Sequence, residues 1–109
     1  MCRIALAVLC GTLIAGCGSG SGPSQGDKDK AVTEAQTAFR QVEATGQDLS
    51  RGPCVAESLP SLPDWAADVA HEPRQSVDDD PANQCASFRS GQTHHFVELT
   101  PEGNLIRTQ

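Results

Sequence analysis

Between residue 17 and its end at residue 109, this chain offers fifteen Val, Ile, Leu and Phe side chains and a single Trp, at position 65. That is about one residue in six, below the roughly 20% at which a charged chain starts to resemble a disordered one. One lean domain is the most this apolar surface supports, and small cores of this kind usually need a staple. A domain so small seldom encloses a pocket, which weighs against catalysis. Charge narrows the field further. Fourteen Asp and Glu oppose eight Lys and Arg, a net charge of −6. Such a surface is repelled by phosphate backbones and anionic head groups, so nucleic acid is excluded as a partner.

The chain starts with Arg3 and an apolar run from Ile4 to Ile14. A helical membrane span takes about 20 residues, so this run is too short and fits the apolar region of a signal peptide. It closes on Leu13-Ile14-Ala15-Gly16-Cys17, which resembles the lipobox of bacterial lipoproteins. The resemblance implies that residues 1–16 are a signal peptide removed by cleavage. The Cys17 thiol would carry a diacylglycerol, and the new amino terminus a further acyl chain such as palmitate. Two or more acyl chains anchor a protein stably, so the membrane is an expected partner through Cys17 alone. Gly18 stands where Asp would favour inner-membrane retention in that family. The implied address is the cell envelope: the outer membrane in a two-membrane bacterium, otherwise the outer face of the plasma membrane. On that resemblance Cys2 and Cys10 would leave with the signal and Cys17 would be lipidated, which would leave Cys54 and Cys85 to pair in an oxidising compartment. The closed loop of about 32 residues corresponds to roughly 3.7 kcal/mol in the chain-entropy account.

Residues 17–27, rich in Gly and Ser, read as a flexible tether. Residues 28–48 read as an amphipathic helix, with Ala31, Ala35, Ala38, Phe39 and Val42 on one face of a 3.6-residue period. Gly46 suits its stop. From residue 49 onward prolines cut the chain into short pieces. Cys54-Val55-Ala56 suits a brief strand, and Trp65–Ala70 suits either a strand or a helical turn. Asp80-Pro81 is a helix opening, with a helix expected from Pro81 to Ser90 that carries Cys85 and Phe88 inward. His94–Leu99 and Asn104–Arg107 flank Pro101 and Gly103 as a hairpin. The fold class expected is α+β: one small domain with one or two helices, a C-terminal β-hairpin and one disulfide, on an N-terminal tether.

Candidate chemistry is sparse. His71, His94 and His95 are the three histidines. Adjacent side chains on a strand point to opposite faces, so at most one of His94 and His95 can join His71 in a metal-binding or metal-dependent hydrolytic site. Asp78-Asp79-Asp80 fails the calcium-loop pattern, because neither start register supplies the required Gly and Glu. The run suits a capped helix start. No nucleophile elbow or phosphate loop occurs. The expected function is therefore non-catalytic, with no cofactor: a binding or assembly module with an envelope protein as partner. Trp65 is either a core anchor or, with Asp78, Asp79 and Asp80, part of a partner-binding face.

Overall fold

Ser24 starts the first helix, because its hydroxyl accepts the Asp27 backbone N–H at 3.0 Å and so satisfies one of the free donors of the first turn. The computed structural model describes residues 22–109. The expected signal peptide, the lipidation site at Cys17 and the start of the tether lie outside them. Helix α1 runs Gln25–Ala44 and ends where Gly46 takes a positive φ of 84°. The expected boundaries of 28 and 48 are both shifted toward the N-terminus. Gln25 and Gly26 read as linker by composition, yet a capped first turn holds them.

The face of α1 that carries Ala31, Ala35 and Phe39 is buried, with Val42 partly so. Two alanines contribute little transfer energy themselves, but they let the helix lie close to the layer beneath. That layer is a four-stranded sheet of β1 (Cys54–Ala56), β2 (Trp65–Val69), β3 (His95–Leu99) and β4 (Leu105–Thr108), in that spatial order. β1 runs antiparallel to β2, and β4 antiparallel to β3, while β2 and β3 pair in parallel. The α+β class and the C-terminal hairpin therefore stand. In the hairpin the Gly103 N–H donates to Thr100 O at 2.8 Å around Pro101. Gly103 has a φ of 93°, and a Cβ there would meet the Phe39 ring at 2.9 Å. Only glycine satisfies both demands.

Strand alternation sorts the side chains into two layers. Trp65, Ala67 and Val69 of β2 and Val97 and Leu99 of β3 face α1, joined by Leu49 and Leu59. Trp65 is 3% exposed and stacks on His95 with ring centroids 4.9 Å apart. It is a core anchor, which removes it from any partner-binding face.

Parallel pairing requires a crossover, and residues 70–94 supply it. They hold two 3-10 turns, Ser76–Asp79 and Pro81–Asn83, and a single-turn helix α2, Ala86–Arg89. The continuous helix expected from Pro81 to Ser90 is thus broken. Gln84 and Cys85 are extended between its two parts, where the chain turns to reach the edge strand. The Asp80 carboxylate caps the second turn by accepting the Ala82 N–H at 3.0 Å. Phe88, expected inward, is 38% exposed. The Cys54–Cys85 disulfide forms, with Cα atoms 4.8 Å apart, and bolts β1 to the crossover.

Because α1 packs on the same sheet, loss of this bolt propagates through the whole domain. Cys54→Ser is expected to lower stability by about 3–4 kcal/mol, read as a drop in Tm on thermal denaturation. An unchanged Tm would show that the disulfide contributes nothing to the fold.

Candidate functional site

The sheet face turned away from α1 carries the chemistry. Ala66 and Asp68 of β2, Phe96 and Glu98 of β3, and Arg107 of β4 point there. The crossover stands over them with Arg74, Cys85, Phe88 and Arg89. Between the two layers lies an open cavity of about 470 Å³, within the size range of small-ligand sites. The lean core confines packed side chains to the α1 side and leaves this second layer incompletely filled.

Glu98 is its electrostatic centre. It is 5% exposed, and both of its oxygens are held: Arg74 Nη1 donates to Oε2 at 3.0 Å, and Arg107 Nε to Oε1 at 3.1 Å. Arg74 is fixed in turn, donating from Nε to Asp79 Oδ1 at 3.0 Å and from Nη2 to the Asp78 carbonyl at 3.3 Å. The Arg107 guanidinium sits 5.3 Å from the centre of the Phe96 ring, a cation–π distance. Phe88 meets Phe96 edge-on at 4.8 Å. The rim is therefore aromatic and the floor ionic.

Asp68 lies opposite Glu98 in the β2–β3 register. Its Oδ1 is buried and has no hydrogen-bond partner. Burial pushes the Asp68 carboxyl up from 3.8 to about 7, and the neighbouring Glu98 charge adds to this, against the opposing pull of Arg74 and Arg107. Near neutral pH this side chain is divided between an acid that donates and a carboxylate that accepts. An orphaned buried polar atom costs free energy, and it stands in a cavity wall where a ligand can supply the missing partner.

The residues singled out by sequence fall elsewhere. Asp78 is 4% exposed and accepts the backbone N–H of His71 at 3.0 Å and of Gln75 at 2.8 Å, with the His71 ring Nδ1 at 2.9 Å. Burial by itself would raise its carboxyl, but the Gln75 and His71 donors outweigh burial and hold it below the usual carboxylate range. Asp79 pairs with Arg74 and Asp80 caps a turn. With Trp65 in the core, the expected partner face of Trp65, Asp78, Asp79 and Asp80 does not assemble.

Nor do the histidines meet. His95 lies opposite Trp65, while His71 follows the far end of the parallel strand β2. Six residues at roughly 3.3 Å each separate the two ends by about 20 Å. His94 Nδ1 instead contacts Asp64 Oδ1 at 2.6 Å. The structure thus does not bring His71 together with His94 or His95. Among the described residues, Cys54, Cys85 and Glu57 bring ligand-type atoms within 4.8 Å of one another. Both sulfurs are spent in the disulfide, however, and Glu57 accepts the Ala86 and Ser87 N–H groups at the start of α2.

Two signals for the cavity were present in the chain. Asp68 in Trp65–Val69 and Glu98 in His95–Leu99 each place one acid inside an otherwise apolar strand, but only parallel pairing sets them side by side. No helix among the described residues is long and apolar enough to cross a membrane. No protein-family model matches the chain, nor does any curated protein or any solved structure.

The sign of the Asp68 effect on stability follows from its raised folded-state value. Its favourable contribution is complete below the ordinary 3.8 and is lost as pH rises to about 7. Asp68→Asn should match the parent chain near pH 4. It should exceed it at pH 8 by up to about 4 kcal/mol, since one pH unit is worth about 1.4 kcal/mol. Denaturant titrations at the two pH values measure this; a difference that stays constant with pH would contradict the assignment.

Proposed function

We propose that this chain is a lipid-anchored, non-catalytic binding module of the cell envelope, which holds its ligand in the cavity between the sheet and the crossover. The observation that carries the binding reading is the orphaned Asp68 oxygen in the wall of an open cavity with an exposed aromatic rim. Holding suits the lining groups better than attacking. Glu98 has both oxygens engaged by arginines and is pinned as a structural anion. Phe88 and Phe96 supply an apolar platform, and Arg89 and Arg107 lie at the opening. The address rests on the lipobox likeness at Leu13–Cys17. An anchor of two or more acyl chains leaves the folded part free of any need to adhere to lipid itself.

Two experiments test this reading. Cys17→Ser is expected to move the protein from the membrane fraction to the soluble fraction of osmotically lysed cells. Retention in the membrane would refute acyl anchoring. A photo-reactive residue placed at position 88, on the cavity rim, is expected to yield a discrete cross-linked species in intact cells. The same residue at position 40, on the exposed side of α1, should yield none. Equal or absent labelling at both positions would refute the cavity as the binding face.

A further inference from the structure

The charge inside the cavity runs against that of the chain. Three of the eight Lys and Arg residues line it, Arg74, Arg89 and Arg107, against the two acids Asp68 and Glu98. The chain as a whole carries −6. Glu98 occupies Arg74 through Nη1 and Arg107 through Nε only. The two terminal amino groups of Arg107 make no hydrogen bond among the described residues, and Arg89 makes one long contact, at 3.5 Å, to Pro81 O. Guanidinium donors thus stand unspent beside the aromatic pair Phe88 and Phe96. We infer, resting on the binding reading above, that the cavity takes a carboxylate attached to an apolar or aryl body: Arg107 and Arg89 clamp the anion, the rings cover the body, and the unpartnered Asp68 oxygen gains its hydrogen bond with the ligand carboxyl group.

The Asp68 carboxyl makes this more specific than an arginine pocket. The charged groups acting on it are Glu98 from β3, Arg107 from β4, and Arg74 and Asp78 from the crossover, with the Cys54–Cys85 disulfide beside it in the fold. Arg74 is also paired with Asp79, so with Asp68 ionised the three arginines are balanced by Asp68, Glu98 and Asp79, and with Asp68 protonated one positive charge is in excess. An entering carboxylate therefore favours the protonated form, and that form has a proton to donate into the anion. A ligand bound where Asp68 is still ionised takes up a proton from solvent, which adds to the carboxyl and leaves no bond broken. An ammonium ligand would do the reverse and release one.

Calorimetric titration of the full chain with 3-phenylpropanoate between pH 5.5 and 8.5 tests the inference, with 3-phenylpropanamide and 3-phenylpropylamine as neutral and cationic counterparts. The expected result has three parts. The carboxylate binds at least tenfold tighter than either counterpart. Its affinity falls as pH rises past 7, toward tenfold per pH unit. Buffers of different ionisation enthalpy reveal proton uptake on binding. Asp68→Asn, whose amide still donates but does not titrate, should keep the low-pH affinity and abolish the pH slope, which a merely structural role would not do. Arg107→Gln should lose at least tenfold; Arg89→Gln, at an exposed position, gives the same reading if the former fails to fold.

N-acetylphenylalanine separates the two sources of this chemistry. Tighter binding than 3-phenylpropanoate assigns the carboxylate to a peptide C-terminus, and weaker binding assigns it to a free organic acid. Affinity that rises with pH, or preference for the amine or the amide, overturns the inference while labelling at position 88 still upholds a binding face. Absence of binding by every probe together with absence of that labelling overturns both.

Discussion

Parallel pairing of β2 with β3 is the constraint on which the other features of this domain depend. Two strands that run the same way cannot be joined by a tight turn, so residues 70–94 must travel from one end of the sheet back to the other. That return segment has little apolar material of its own. It is organised by polar groups instead. The Asp78 carboxylate gathers the His71 and Gln75 N–H groups at the start of the return, and Glu57 receives the Ala86 and Ser87 N–H groups near its end. Between them the Cys54–Cys85 bridge ties the path to the edge strand.

The same economy explains the α1 side. Where large side chains are scarce, small ones bring surfaces close together. Ala31 and Ala35 are fully buried against Ala67, Val69, Val97 and Leu99, with Phe39 and Trp65 as the two aromatic fillers. Close approach then makes particular glycines necessary. Gly103 presses on the Phe39 ring. Gly52, with φ 74°, lies where a Cβ would come within 2.8 Å of Asp78 Oδ1 and 2.9 Å of the Val69 carbonyl. A core this thin is held by backbone geometry and by hydrogen bonds to one buried carboxylate as much as by apolar area.

The opposite face shows what the domain gives up for its cavity. A fully packed second layer would have filled the space over Asp68, or would have replaced that residue with an apolar one. A carboxyl lies there instead, raised to about 7 by burial and by Glu98, with one oxygen unpartnered. Perturbed titration together with an open cavity is the usual mark of a functional site, although ion-pair networks alone also shift such groups. Here the network satisfies both oxygens of Glu98, while Asp68 feels its charges but leaves Oδ1 without a hydrogen bond.

Local pattern made much of the fold legible. The 3.6-residue spacing of Ala31, Ala35 and Phe39 marks α1, the Pro101 and Gly103 turn marks the hairpin, and Asp80-Pro81 marks a cap. Each of these depends on neighbours in the chain, which a sequence displays directly. The partners of β2, the route of the crossover and the placing of Trp65 depend on contacts between distant residues, and no local period encodes them. Accordingly Asp78, which suits a helix start or a partner-binding face in the sequence, lies buried, and His71 and His95, an alternative metal pair in the sequence, lie at opposite ends of the sheet. The sequence by itself determined the composition limit, the helix and the hairpin, because these follow from residue type and short-range spacing, whereas the Cys54–Cys85 pair is expected only through the lipobox likeness. Only the tertiary structure decided that Asp68 and Glu98 stand side by side under Phe88 with three arginines around them, because that meeting is made by strand register and by the path of the crossover.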